Sequence, residues 1–417
     1  MMRAIKTYIK HVVRDLKSLI MALLLIMFSS CASYDHEEPQ HEPAVLKIYV
    51  FAPDHPIVTR ADNGNVNAAP AESAIHSLSV WVFEHGNNGK KVGYITTTSE
   101  QLSTGQATLT MEVSDDFAER QPNVDVYVMA NVTSTNCGIT LDESTTRSQL
   151  DAALIENKAA GDFFGLTSTS LVTAVPADGL PMSGVLKNET IFGDAPVFGV
   201  GPKTTKTLTN VKLVRAVSKV QFVFTTIDDL DPTHKHTVES ITLGKEMIPY
   251  SEYLFLKGAY SATGGGDPLT LKGYRYWINE EDGYNSAVAT LMNTPTEINK
   301  CATTSSPEDY VYKTQNGQDY ESLIETGITN GDLTRVGTYY LRESDKNITG
   351  TITYDGNKST TFHLVPPEET FVEGDFGRNH TWIVYAYFSS WSKLNVITVQ
   401  VKAWDTQGST THKVYNW

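Results

Sequence analysis

Cys31 is the first residue in the chain whose type and position point to a specific chemistry. The segment Phe28-Ser29-Ser30-Cys31 sets small residues directly before a cysteine. That pattern reads as a bacterial lipid-attachment motif, in which the thiol is acylated and the chain is then cut to free the cysteine amine. Upstream, Arg3, Lys6, Lys10, Arg14 and Lys17 precede the apolar run LIMALLLIMF, 19–28. A basic segment followed by an apolar one has the proportions of a secretory signal, and the run is too short to span a bilayer. The sequence therefore predicts a lipoprotein signal peptide over 1–30 and an acylated Cys31, with a soluble body tethered to a membrane by its acyl chains.

The other groups that could do chemistry lead nowhere comparable. His234-Lys235-His236 puts two imidazoles on one face of a strand, as a metal site would need, but no third ligand is identifiable in the sequence. Asp228, Asp229 and Asp231 lack the glycine and the distal glutamate of a cation-binding loop. The pairs Asp115-Asp116 and Glu280-Glu281 are sequence neighbours, which does not set two carboxylates across a sugar. HExxH, GxSxG, GxGxxG and the phosphate-loop lysine motif do not occur. The expectation is a protein that is not an enzyme, with no catalytic residue, metal or cofactor. Cys137 and Cys301 are isolated and read as small buried hydrophobes; whether they are bridged stays open.

Charge narrows the partners. Lys and Arg number 33 against 48 Asp and Glu, a net charge of -15, which excludes nucleic acid as an expected partner. The acidic residues are scattered, as on a solvated surface.

The elements that would carry these groups are strands. Val45 to Phe51 alternates, with Leu46, Ile48 and Val50 on one face, and ends at a linker containing Pro53 and Pro56 that closes on Thr59-Arg60-Ala61-Asp62. Ile75 to Phe83, a turn at 86–89 and a strand near 93–98 follow hairpin grammar. Further strands are expected at 107–113 and 124–130, a surface helix over 145–158, and irregular connections through 163–200. Patterning restarts with the long segment 212–224. On this basis the domains are 1–30 signal, 31–60 propeptide with an N-terminal strand, 61–210 and 211–417. The tryptophans 81, 277, 382 and 391 are expected as core rather than as sugar platforms.

Several segments together resemble the fimbrillins of Bacteroidales, the type V pilins: Leu78 to Phe83, Val126 to Asn131, Leu213 to Val220 (LVRAVSKV), the turn Gly377-Arg378-Asn379-His380, and the ending Val401 to Trp404 with Tyr415-Asn416-Trp417. The resemblance implies an all-β fold of two transthyretin-like Greek-key β-sandwich domains with a few short helices. It implies export to the outer membrane as a lipoprotein, then cutting after arginine by an Arg-specific surface protease. Arg60, before Ala61, is the matching position. The cut would release the strand bearing Leu46, Ile48 and Val50, and if these and a fourth side chain leave a groove, roughly 6–12 kcal/mol of apolar burial is exposed. In the family, the vacated groove is filled by the C-terminal strand of the next subunit. The matching donor is Thr411, His412, Lys413, Val414, Tyr415, Asn416 and Trp417, and other fimbrial subunits are the expected partners. The alternatives from the same residues are a monomeric surface lipoprotein that binds glycan, and an anchor or tip position within a fimbria.

Overall fold

The computed structural model describes residues 44–52, 70–86, 89–98, 106–156, 174–190, 208–227, 235–255, 278–301, 306–311, 320–364, 376–390, 393–401 and 413–416. Its first strands are β1 (Ala44–Phe51), β2 (Ser77–Glu84), β3 (Lys91–Thr98), β4 (Gln106–Val113), β5 (Val124–Ala130), β6 (Leu154–Glu156), β7 (Met182–Glu189), β8 (Leu208–Lys212) and β9 (Val214–Arg215). They form a three-stranded sheet in the order β4-β1-β8 and a five-stranded sheet in the order β3-β2-β5-β7-β9. One apolar core joins the two sheets: Leu46, Ile48 and Val50 from β1 and Leu109 and Met111 from β4 meet Val80, Val82, Val126 and Val128 from β2 and β5.

The second set is β10 (Ser218–Thr226), β11 (Thr237–Leu243), β12 (Ser251–Tyr253), β13 (Ala289–Met292), β14 (Thr296–Glu297), β15 (Thr334–Leu341), β16 (Ile348–Tyr354), β17 (Lys358–Leu364), β18 (Thr381–Ser390), β19 (Lys393–Val401) and β20 (Lys413–Asn416). Sheets β15-β10-β18-β19-β20 and β13-β11-β16-β17 face each other across Phe222, Phe224, Ile241, Ile352, Phe362, Trp382 and Val384. The fold is thus all-β, two sandwiches in chain order, and every described residue lies in one compact unit. Among the described residues no helix is long and apolar enough to cross a membrane.

The sheets β3-β2-β5-β7-β9 and β15-β10-β18-β19-β20 are covered on their second face as well, which explains strands such as β5 and β10 that are buried at every position. In β5, Val124, Val126 and Val128 enter the sandwich core while Tyr127 and Met129 point the other way, as the two-residue period requires. The outer face is roofed by α2 (Ser134–Cys137), α3 (Arg147–Asp151), β6 and the pair Leu254-Phe255. A further helix, α1 (Asp115–Arg120), is capped by Ser114, whose hydroxyl accepts from Phe117 N–H. In the second sandwich α4 (Tyr320–Thr329) covers Val223, Ile383 and Tyr385.

Two expectations are corrected. The helix expected over 145–158 is the five-residue α3, closed at its start by a capping box between Thr146 and Gln149. Beyond Ala152 the chain turns into β6, which pairs antiparallel with β12 from the second set of strands; a distant partner overrides the helical spacing. The stretch 163–200, expected as irregular connections, contains β7, whose Gly184 and Asn188 mask its strand character. Cys137 and Cys301 are buried in separate apolar clusters and are not bridged to each other. Trp81 and Trp382 are core residues, and Trp277 and Trp391 lie outside the described residues.

Candidate functional site

The alternation of AVLKIYVF makes β1 a strand with one apolar face, and that face is inserted in the first core. Leu46, Ile48, Val50 and Ala52 have no solvent exposure. On one side β1 runs antiparallel to β4 through an unbroken register from Ala44↔Val113 to Phe51↔Gln106. On the other it runs parallel to β8, pairing Ile48↔Leu208, Val50↔Val211 and Phe51↔Lys212 with an irregularity between the first two. β1 is therefore the middle strand of its sheet. Taking it out would leave β4 and β8 facing each other across two inter-strand spacings, roughly 9.5 Å, each with an open row of backbone groups. The apolar floor beneath would lose roughly 4.5–9 kcal/mol of burial from the three large side chains.

β20 has the opposite setting. Among the described residues it is the last strand of its sheet and pairs with β19 alone: Gln400↔Lys413, Val399↔Val414, Thr398↔Tyr415 and Ile397↔Asn416. Of the C-terminal segment singled out in the sequence, Lys413–Asn416 is thus an edge strand lying on its own chain. Thr411, His412 and Trp417, like Cys31, Arg60 and Ala61, lie outside the described residues.

Between the slot and that edge, one stretch of chain runs continuously. β8 walls the slot, β9 pairs with β7, and β10 opens the second sandwich between β15 and β18. Here LVRAVSKV meets Gly377-Arg378-Asn379-His380. Asn379, in the left-handed region at φ 58°, donates its N–H to Val217 O at 2.7 Å, and Lys219 N–H donates to His380 O at 2.8 Å. Arg215, fully buried, donates from Nη1 to Asn379 Oδ1 at 3.0 Å, from Nε to Glu72 O at 2.8 Å and from Nη2 to Ser73 Oγ at 3.1 Å. Lys219 Nζ sits between Glu321 Oε1 at 2.6 Å and a Glu72 carboxylate oxygen at 3.2 Å. Tyr340 Oη donates to Glu72 Oε1 at 2.7 Å. Burial alone would lower the Lys219 ammonium; the Glu321 and Glu72 carboxylates outweigh it and hold the ammonium above its ordinary value. Burial, followed by the Glu72 charge, pushes the Tyr340 phenol up.

Glu72, Glu321 and Tyr340 were not legible as site residues, although a signal existed. Lys219 is a charged residue inside the long apolar segment 212–224, and an ammonium buried in a strand needs a counter-charge. Glu72 closes the turn Pro70–Glu72, the first described element after β1, and that turn is fastened to both sandwiches through Arg215, Lys219 and Tyr340.

Of the histidine pair, His236 alone is among the described residues. His236 is buried, paired through Nδ1 with Asp355 Oδ2 and stacked on Phe388 at 3.9 Å between ring centres; His234 lies outside the description. No group of metal-ligating side chains occurs among the described residues.

Residues 44–220 match the family described as major fimbrial subunit protein (FimA). No curated protein matches the chain. Among solved structures it is similar to the tip fimbrial protein Mfa3 of Porphyromonas gingivalis, at 12% identity over 90% of this chain and 99% of that one, TM-score 0.42. A fimbrial assembly protein of Parabacteroides distasonis is similar at 11% identity over 89% and 99%, TM-score 0.37. A fimbrilin of Porphyromonas gingivalis is similar at 12% identity over 83% and 90%, TM-score 0.37.

Proposed function

We propose, from the match of residues 44–220 to the family described as major fimbrial subunit protein (FimA), that the chain is a structural subunit of a cell-surface fimbria that polymerises by strand exchange and supports adhesion. The observation that carries the reading is the setting of β1, a middle strand whose apolar face is part of the core. A strand so placed cannot leave without creating a slot of its own width, and such a slot recruits another strand.

In this reading the precursor is held at the outer membrane through Cys31. An Arg-specific protease cuts between Arg60 and Ala61 and frees β1 from the body. Thr411 to Trp417 of a second copy then enters the slot by strand addition. The contact is heterologous, one subunit's end against another's body, and such contacts build open filaments when the rotation does not close. The edge position of β20 supports the role of donor, because an edge strand is released by breaking one ladder where a middle strand needs two. The buried cluster around Glu72 supports the idea that the body stays intact after the cut, since the chain following the cut remains fastened to Lys219, Arg215 and Tyr340.

A variant lacking Thr411 to Trp417 tests the donor assignment. It is expected to fold and to be cut like the full chain, yet to give no ladder of oligomers on electrophoresis. A ladder of unchanged length from the truncated chain would remove the C-terminal segment from the mechanism.

A further inference from the structure

A second buried charge cluster lies where the two sets of strands are sewn together. Residues 251–255 leave the second set and pair with the first: Ser251↔Glu156, Glu252↔Ile155 and Tyr253↔Leu154 join β12 to β6, and Leu254 N–H donates to Ala153 O at 2.9 Å. Phe255 stands edge-on to Tyr127, 5.1 Å between ring centres, and Ser183 Oγ donates to Leu254 O. Glu252, in the middle of this seam, is fully buried, as are Glu343 and Arg378.

The Arg378 guanidinium serves both acids. Its Nη2 lies 2.5 Å from Glu343 Oε1 and 3.3 Å from Glu252 Oε2, and its Nε donates to Glu343 Oε1 at 3.0 Å. Nη2 also donates to Tyr253 O at 2.9 Å. The second guanidinium in reach, Arg342, donates from Nη1 to the carbonyls of Pro249 and Tyr250. Oε2 of Glu343 meets no donor at hydrogen-bonding geometry, and after the two guanidiniums the groups that bear on the Glu252 carboxyl are the backbone and the side chain of Glu343 itself. Two ionised carboxylates side by side offer only acceptors, whereas one proton between them supplies the missing donor.

We propose that Glu252, Glu343 and Arg378 form a proton-operated clasp on the β6–β12 seam, closed while the two carboxyls share a proton and loosened when both are ionised. The inference concerns the joint alone and stands whether or not the chain polymerises.

The direction follows from the surroundings. Burial pushes both carboxyls above the ordinary carboxylate range, and Arg378 offsets this only in part. For Glu343 the neighbouring Glu252 charge pushes the same way, and for Glu252 Arg342 pulls back after Arg378. A carboxyl that holds its proton more tightly folded than unfolded adds stability at low pH and loses it as pH rises through its folded-state value. The other titratable groups near the cluster are His380, whose Nδ1 lies 2.6 Å from Arg378 O, and Asp282, which accepts from Ser251 Oγ.

The test is hydrogen exchange of the full chain between pH 6 and 9, corrected for intrinsic rate and read at the amides of β6, β12 and Leu254. The opening equilibrium of the seam is expected to rise with pH by up to about tenfold per unit, while the β16–β17 ladder does not move. Glu343→Gln, whose amide donates to Glu252 at any pH, is expected to flatten the slope; Glu252→Gln serves the same purpose should the first variant not fold. A seam indifferent to pH, or a slope retained in both variants and hence owed to His380 or Asp282, overturns the proposal.

Discussion

Replacing Ile48 with Asp is expected to prevent the first sandwich from folding. Ile48 has no solvent exposure and sits on the middle strand of its sheet, between Leu109 on β4 and Leu208 on β8. A carboxylate there would be set among the apolar side chains of the first core. Burying an unpaired charge costs several kcal/mol even after relaxation, against a total stability of about 5–15 kcal/mol for a domain. Ile48→Ala, by contrast, leaves only a cavity and is expected to cost about 2–5 kcal/mol. Denaturant unfolding of the two variants checks the contrast. An Asp variant as stable as wild type would mean that β1 is not part of the core, and the slot argument would fall with it.

The second large effect is expected at Lys219. Its ammonium is the shared counter-charge of Glu72 and Glu321, which are themselves nearly fully buried. Lys219→Met keeps the length of the stem and removes the charge, leaving two carboxylates close together in the interior. Breaking a buried pair from one side costs about 3–5 kcal/mol, and the variant should be most destabilised at neutral and alkaline pH, where both acids are ionised. In the wild type the sign is fixed by the raised Lys219 ammonium: its contribution is fully present below the ordinary lysine value and is lost only as pH climbs through the higher folded-state value. Thermal unfolding from pH 5 to pH 9 separates the two behaviours. A Met variant within about 0.5 kcal/mol of wild type across that range would show that the cluster does not hold the junction.

How much of this was legible in the sequence depended on whether the deciding partner was near or far. β1 announced itself, because Leu46, Ile48 and Val50 recur at the strand period and the prolines after it end the run. The hairpin of β2 and β3 was equally local. What could not be read was where β1 sits: that it lies between β4 and β8, and not at an edge, depends on pairings more than 50 residues away for β4 and more than 150 for β8. The helix expected over 145–158 failed for the same reason, since β6 owes its extended form to β12. The ion clusters show the limit most clearly. LVRAVSKV and the turn at 377–380 stood out separately, but Lys219 reaches partners 147 and 102 residues distant, and no local spacing carries that information.

The central claim, that β1 is a removable strand and its slot a receptor for another subunit, is tested most directly by treating the purified chain, begun after Cys31, with an Arg-specific protease. The new N-terminus is read, and the product is examined for filaments and an electrophoretic ladder. The account predicts a new N-terminus at Ala61, loss of the segment bearing Leu46, Ile48 and Val50, and polymers that appear only after the cut. A cut at Ala61 that leaves a stable monomer with β1 still bound, or polymers forming equally well from uncut chain, would contradict it.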